Sequence, residues 1–170
     1  DKPNKPIEWP PVAIRAALCI AAVLLSLVAM ASPVHAFDRY TAHGGPVRDL
    51  TISPDGSMLV SASFDYSAVI WTAPQITEKF TLYAHEAAVN TARFSPDGKL
   101  LATAGDDGRI YLWKKNVLGN EDPEPIILSG HKGKVVNLAF SDNGSLLASA
   151  SWDGSIGLWP LDSGPEAASE

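Results

Sequence analysis

The sequence predicts an all-β protein made of about three stacked four-stranded antiparallel units, preceded by an apolar signal or anchor helix. Three observations carry that reading. A pattern spanning residues 43 to 159 is written three times at a nearly fixed period. Inside each copy, short apolar runs are punctuated by the residues that close hairpins. Ahead of the copies stands an uncharged run, Ala16 to Ala31, that belongs to a different kind of segment.

Residues 1–36 read as an export address. Lys2, Lys5 and Arg15 give a weakly basic start among Pro3, Pro6, Pro10 and Pro11. The run AALCIAAVLLSLVAMA follows, then Ser32-Pro33 and Val34-His35-Ala36. A basic flank, an apolar core and small residues before the cut suit a signal peptidase, which places cleavage after Ala36. The rival is an uncleaved anchor through residues 16–31, although this run is shorter than the roughly 20 residues a spanning helix needs. A buried core helix fits less well, because the run has no polar stripe. Cys19 follows Leu18 near the start of the run, whereas a lipidation cysteine would stand at its end. The expectation is an exported protein, periplasmic or secreted, or held at the inner membrane by residues 16–31.

Composition narrows the function. The chain has 170 residues, 46% apolar and 19% charged, which suits a packed core rather than disorder. A net charge of −6 argues against non-specific nucleic-acid binding, which needs a basic face. The single cysteine excludes a disulfide framework, a cysteine-rich zinc site and a CxxCH haem attachment within this stretch.

The three copies align on His43, His85 and His131, each the same 28 positions before a tryptophan (43 to 71, 85 to 113, 131 to 159). The histidines step by 42 and 46 (43 to 85 to 131). In each copy a first strand runs from Val47, Val89 or Val135 to Ser53, Ser95 or Ser141. Then comes Pro54-Asp55-Gly56, Pro96-Asp97-Gly98 or Asp142-Asn143-Gly144, where glycine supplies the positive φ of the turn. Second strands fit Met58–Ser63, Leu100–Gly105 and Leu146–Ser151, and third strands end at Trp71, Trp113 and Trp159. Outer fourth strands fit Lys79–Tyr83 and Pro125–Ser129. Phe37–Thr41 looks like the same outer strand placed before the first copy, and none follows Trp159, where 161–170 reads as a tail or truncated repeat.

Residues 37–160 resemble the WD-repeat family of β-propellers. The resemblance rests on the histidine after a small residue, the PDG turn, the aspartate six before the tryptophan, and the tryptophan closing the third strand. The Gly-His pair survives only at Gly130-His131, and no third strand closes on Trp-Asp: Thr72, Lys114 and Pro160 follow Trp71, Trp113 and Trp159. The resemblance implies a partial propeller of about three blades. It also implies that Phe37–Thr41 completes a blade encoded beyond residue 170, and that the isolated piece, with its open edges, is poorly stable or associates with copies of itself.

Four positions repeat their chemistry: His43/His85/His131, Ser61/Thr103/Ser149, Asp65/Asp107/Asp153 and Trp71/Trp113/Trp159. In WD-repeat proteins such residues form a hydrogen-bonded tetrad inside each blade. His, Ser and Asp are also the members of a hydrolytic triad and could be read as metal ligands. Threefold repetition, each time with a tryptophan, favours architecture, since one active site would need the set once. No metal and no cofactor is expected, and the acidic stretch Glu121, Asp122 and Glu124 reads as a solvated loop.

Family resemblance also places the first-strand entry and the turn before the third strand at one end of the blade, where partners often bind. The residues that differ among copies there are the candidates for partner contact: Phe64, Asp106 and Trp152 beside the tetrad aspartates, and Lys134, Arg48, Asn90 and Val136 at the first strands. The leading functional expectation is a non-catalytic scaffold for protein–protein contacts. Two alternatives stand beside it. One, resting on resemblance, is the sensor or docking part of a periplasmic c-type cytochrome fusion whose haem domain lies outside this chain. The other is a hydrolase using one His/Ser/Asp set.

Overall fold

The structure, a computed structural model, describes residues 39–118 and 123–161. The chain divides into two compact units, Asp1–Arg39 and Tyr40–Glu170. The expected signal or anchor segment, the acidic residues Glu121 and Asp122, and nearly all of the tail lie outside the described residues.

Among its described residues the second unit is all-β, with eleven strands in three antiparallel sheets. The first sheet holds β1 (Val47–Ile52), β2 (Met58–Ser63), β3 (Ala68–Thr72) and β4 (Thr77–Leu82) in that order. The second holds β5 (Val89–Phe94), β6 (Leu100–Gly105), β7 (Arg109–Lys114) and β8 (Ile126–Ser129), with a 3₁₀ turn at Lys115–Val117. The third holds β9 (Val135–Phe140), β10 (Leu146–Ser151) and β11 (Ile156–Pro160), three strands among the described residues.

The turn chemistry explains the hairpins. Ser53 stops β1 because its hydroxyl turns inward, accepting the Met58 N–H at 2.9 Å while donating to Asp55 at 2.6 Å. Ser95 does the same with Leu100 and Asp97, and Ser141 with Leu146 and Asn143. Gly56, Gly98 and Gly144 take φ of 69°, 68° and 73°, which costs glycine nothing. The first strands therefore end one residue before the serines.

Two expectations need correction. Arg39–Thr41, the described part of the proposed leading strand, is not a strand. A strand exists only with a hydrogen-bonding neighbour, and no described strand lies beside this segment. The outer strands are also displaced, to Thr77–Leu82 and Ile126–Ser129. Their solvent-facing residues do not alternate cleanly, so the pattern gave poor boundaries.

The sheets stack face to face through two apolar layers. Val60, Ala62, Ala68 and Ile70 of the first sheet pack with Val89, Ala92, Phe94 and Leu101 of the second. The second sheet's other face, Ala102, Ala104, Ile110 and Leu112, packs with Val135, Leu138 and Leu147 of the third. Period-2 alternation makes this possible, because neighbouring residues of one strand serve opposite layers. Each fully buried Leu or Ile contributes about 1.5–3 kcal/mol.

Candidate functional site

Each sheet holds a polar chain that starts at a buried hydroxyl on its second strand and runs outward to a partly buried aspartate side chain. In the first, Trp71 Nε1 donates to Ser61 Oγ at 2.9 Å, and Ser61 Oγ lies 2.7 Å from His43 Nε2. His43 Nδ1 lies 2.9 Å from Asp65 Oδ2. The carboxylate can only accept, so Nδ1 carries the proton and Nε2 accepts from the serine. The second sheet repeats the chain through Trp113, Thr103, His85 and Asp107 at 3.1, 3.0 and 2.8 Å. The third repeats it through Trp159, Ser149, His131 and Asp153 at 2.9, 2.8 and 3.0 Å.

Each aspartate also ties down two loops. Its Oδ2 takes the N–H following the histidine (Gly44, Glu86, Lys132), and its Oδ1 takes a turn N–H (Ser67, Arg109, Ser155). Burial raises the Asp65 pKa, but the Ser67 hydroxyl, His43 and the two N–H donors outweigh it and hold the group down at about 2. Asp107 is lowered for the same reasons, with His85 as the main donor against burial. The Ser155 hydroxyl and the Lys132 N–H lower Asp153.

Histidine between serine and aspartate has the connectivity of a hydrolytic triad, but the oxygen is in the wrong place. Ser61, Thr103 and Ser149 are buried, and each oxygen already accepts a tryptophan N–H. A substrate carbonyl has no approach to it. Among the described residues, no group of three His, Cys, Asp or Glu side chains is placed to hold a metal ion.

The residues that differ among the copies gather at one end of the sheets. Backbone bonds bring them there: Phe64 N–H donates to Pro46, Asp106 to Ala88, and Trp152 to Lys134, at 3.1, 2.8 and 2.9 Å. The Arg48 guanidinium lies over the Phe64 ring, 4.7 Å from its centre. The Lys134 ammonium lies 5.5 Å from the Trp152 ring centre and pairs with Asp106 of the neighbouring sheet. Burial raises the Asp106 pKa, but Lys134, Asn90 and the more distant charge of Arg48 outweigh it, so the carboxyl is lowered. Phe64 and Trp152 are exposed.

Asn90 departs from the expectation of an exposed contact. It is buried, and its Nδ2 donates to Asp106 Oδ1 at 2.7 Å and to the Val135 carbonyl at 2.9 Å. It therefore joins two sheets and holds Asp106 in place. Val136, half-buried, stands one residue past that carbonyl. Sequence reading missed Asp49, whose carboxylate accepts from Thr91 Oγ1, the Ala92 N–H and Arg93 across the first sheet boundary. Thr91 and Asn137 occupy its place in the other copies, so repetition gave no signal.

Comparison with known proteins agrees with this geometry. The family model described as "WD domain, G-beta repeat" matches three times, over residues 32–72, 76–114 and 124–160. No curated protein matches the chain significantly. Three matched repeats, each taking in the first three strands of one sheet and, in the second and third, the outer strand of the sheet before, show that this chain belongs to the WD40 family of WD-domain, G-beta-repeat proteins.

Proposed function

We propose that the chain is a non-catalytic scaffold in an exported protein, and that it binds a protein partner at the blade ends carrying Phe64, Arg48, Asp106, Lys134 and Trp152. The observation that carries this reading is the row itself. Two exposed aromatic rings each lie under a cation, and the anchored Asp106 stands between the cations. Such rings present large apolar area with little side-chain freedom left to lose, and Trp and Arg are enriched among the residues that dominate interfaces. WD repeats commonly support protein–protein contacts, and the buried hydroxyls of the tetrads speak for architecture. The fitting partner is a polypeptide segment offering an acidic group to Arg48 and an apolar side chain to Trp152. Export is supported by the apolar run 16–31 and the Val34-His35-Ala36 site.

The test is affinity capture with the full chain, comparing wild type with Trp152→Ala, Arg48→Glu and the control Tyr83→Ala. A partner retained by wild type and control but lost with both variants supports the reading. A partner indifferent to both variants removes it. Sequencing the exported chain tests the other half: cleavage after Ala36 leaves Phe37 as the first residue.

A further inference from the structure

The two terminal blades expose the halves of an interface that the molecule already builds twice. On the face each blade turns toward its successor, Ala68 and Ile70 of the first blade correspond to Ile110 and Leu112 of the second and Ile156 and Leu158 of the third. The first two pairs are at most 1% exposed, whereas Ile156 and Leu158 are 75% and 64% exposed. On the opposite face, Val47 and Leu50 correspond to Val89 and Ala92 and to Val135 and Leu138. The internal copies are at most 2% exposed, whereas Val47 and Leu50 are 51% and 58% exposed.

We propose that these two faces join head to tail between two copies of the chain, with Ile156 and Leu158 of one against Val47, Leu50 and Ile52 of the other. The occupant follows from the internal interfaces. The same positions, with the same kinds of side chain, cover each other at both blade boundaries. Polar positions agree with the pairing. At the first boundary Thr91 donates to Asp49, its counterpart on the preceding blade. At the new junction Asn137, the third-blade counterpart, brings an amide donor beside Asp49 of the second copy. The blade ends match as well, since Trp152 would meet Pro46 where Asp106 now meets Lys134. This junction is heterologous, and the described blades of two copies together make six, within the four to eight of closed propellers. The junction shares Trp152 with the proposed partner site, but it rests on the apolar faces of Leu50 and Leu158, which that site does not use.

Sedimentation velocity of the full chain across micromolar concentrations tests it. Wild type is expected to associate with rising concentration, giving a two-copy species. Leu50→Glu and Leu158→Glu, both at exposed positions, are each expected to abolish association. Mixing the two variants restores a one-to-one pair, because each supplies the face the other lacks. Face-to-like-face pairing would give no such rescue. Ile52→Glu and Ile156→Glu serve as the second pair if circular dichroism shows that either first variant has lost its β-structure. A ladder of larger species that the same variants abolish supports the same junction with the ring unclosed. Wild type that stays monomeric throughout, association retained by the Leu50→Glu/Leu158→Glu double variant, or failure of the mixed variants to pair overturns the proposal.

Discussion

Asp49 of the first blade accepts a 2.8 Å hydrogen bond from Thr91 Oγ1 of the second, and the Ala92 N–H reaches the same oxygen at 3.2 Å. One carboxylate thus holds two innermost strands side by side. Thr91 is buried, so removing its acceptor leaves a hydroxyl and an N–H without a partner. Asp49→Ala is expected to destabilise the protein by about 1–3 kcal/mol, measured by urea unfolding. A double-mutant cycle with Thr91→Val should show a coupling of about 0.5–3 kcal/mol. Additivity of the two substitutions would mean that the apolar layer alone joins the blades.

The tetrads predict a graded series. Asp65, Asp107 and Asp153 each hold a histidine and two loops, but the Asp107 side chain is the most buried of the three. Replacement by alanine should cost about 1–3 kcal/mol at each site, with Asp107→Ala the largest, because its stranded partners find the least water. Thermal and urea unfolding of the three variants measures the order. Equal costs would show that loop anchoring at the surface outweighs burial.

These carboxylates also set an acid limit. Asp65 sits at about 2 in the folded protein against an ordinary 3.8, and Asp107 and Asp153 are lowered too. A carboxylate whose pKa falls on folding adds stability that is complete above its unfolded pKa. That stability is lost as pH falls through the folded value. Stability should therefore drop between about pH 4 and pH 2. Urea midpoints across that interval measure it, and Asp65→Asn should show a shallower decline than wild type. A wild-type midpoint that stays level from pH 4 to pH 2 would contradict the assignment.

Local rules made the hairpins legible. Serine, a Pro-Asp or Asp-Asn pair and glycine fix the turn between first and second strands, so Leu100–Gly105 and Leu146–Ser151 could be bounded from sequence. Recurrence made the buried polar partners visible, because a side chain kept in three copies shares one environment. Features made once by contact between blades were not visible. Asn90 stands where Arg48 is exposed, yet the third blade covers it and supplies the Val135 carbonyl. Asp49 likewise acquires its role only from the strand beside it. Arg39–Thr41 has the composition of an outer strand, but no described strand lies beside it to form a ladder.

Tyr66 gives the last prediction, since the other copies say what its position requires. It takes φ of 72° in the turn before β3, where Gly108 and Gly154 take 75° and 85°. For a residue with a Cβ, this left-handed conformation costs about 1–2 kcal/mol. Glycine avoids that cost but gives back about 0.5–1 kcal/mol through the greater freedom of its unfolded chain. The ring is exposed, so little packing offsets the strain. Tyr66→Gly should therefore raise stability by about 0.5–1 kcal/mol, seen as a higher urea midpoint with an unchanged slope. A lower midpoint would mean that the tyrosine ring contributes more at the blade surface than its backbone loses.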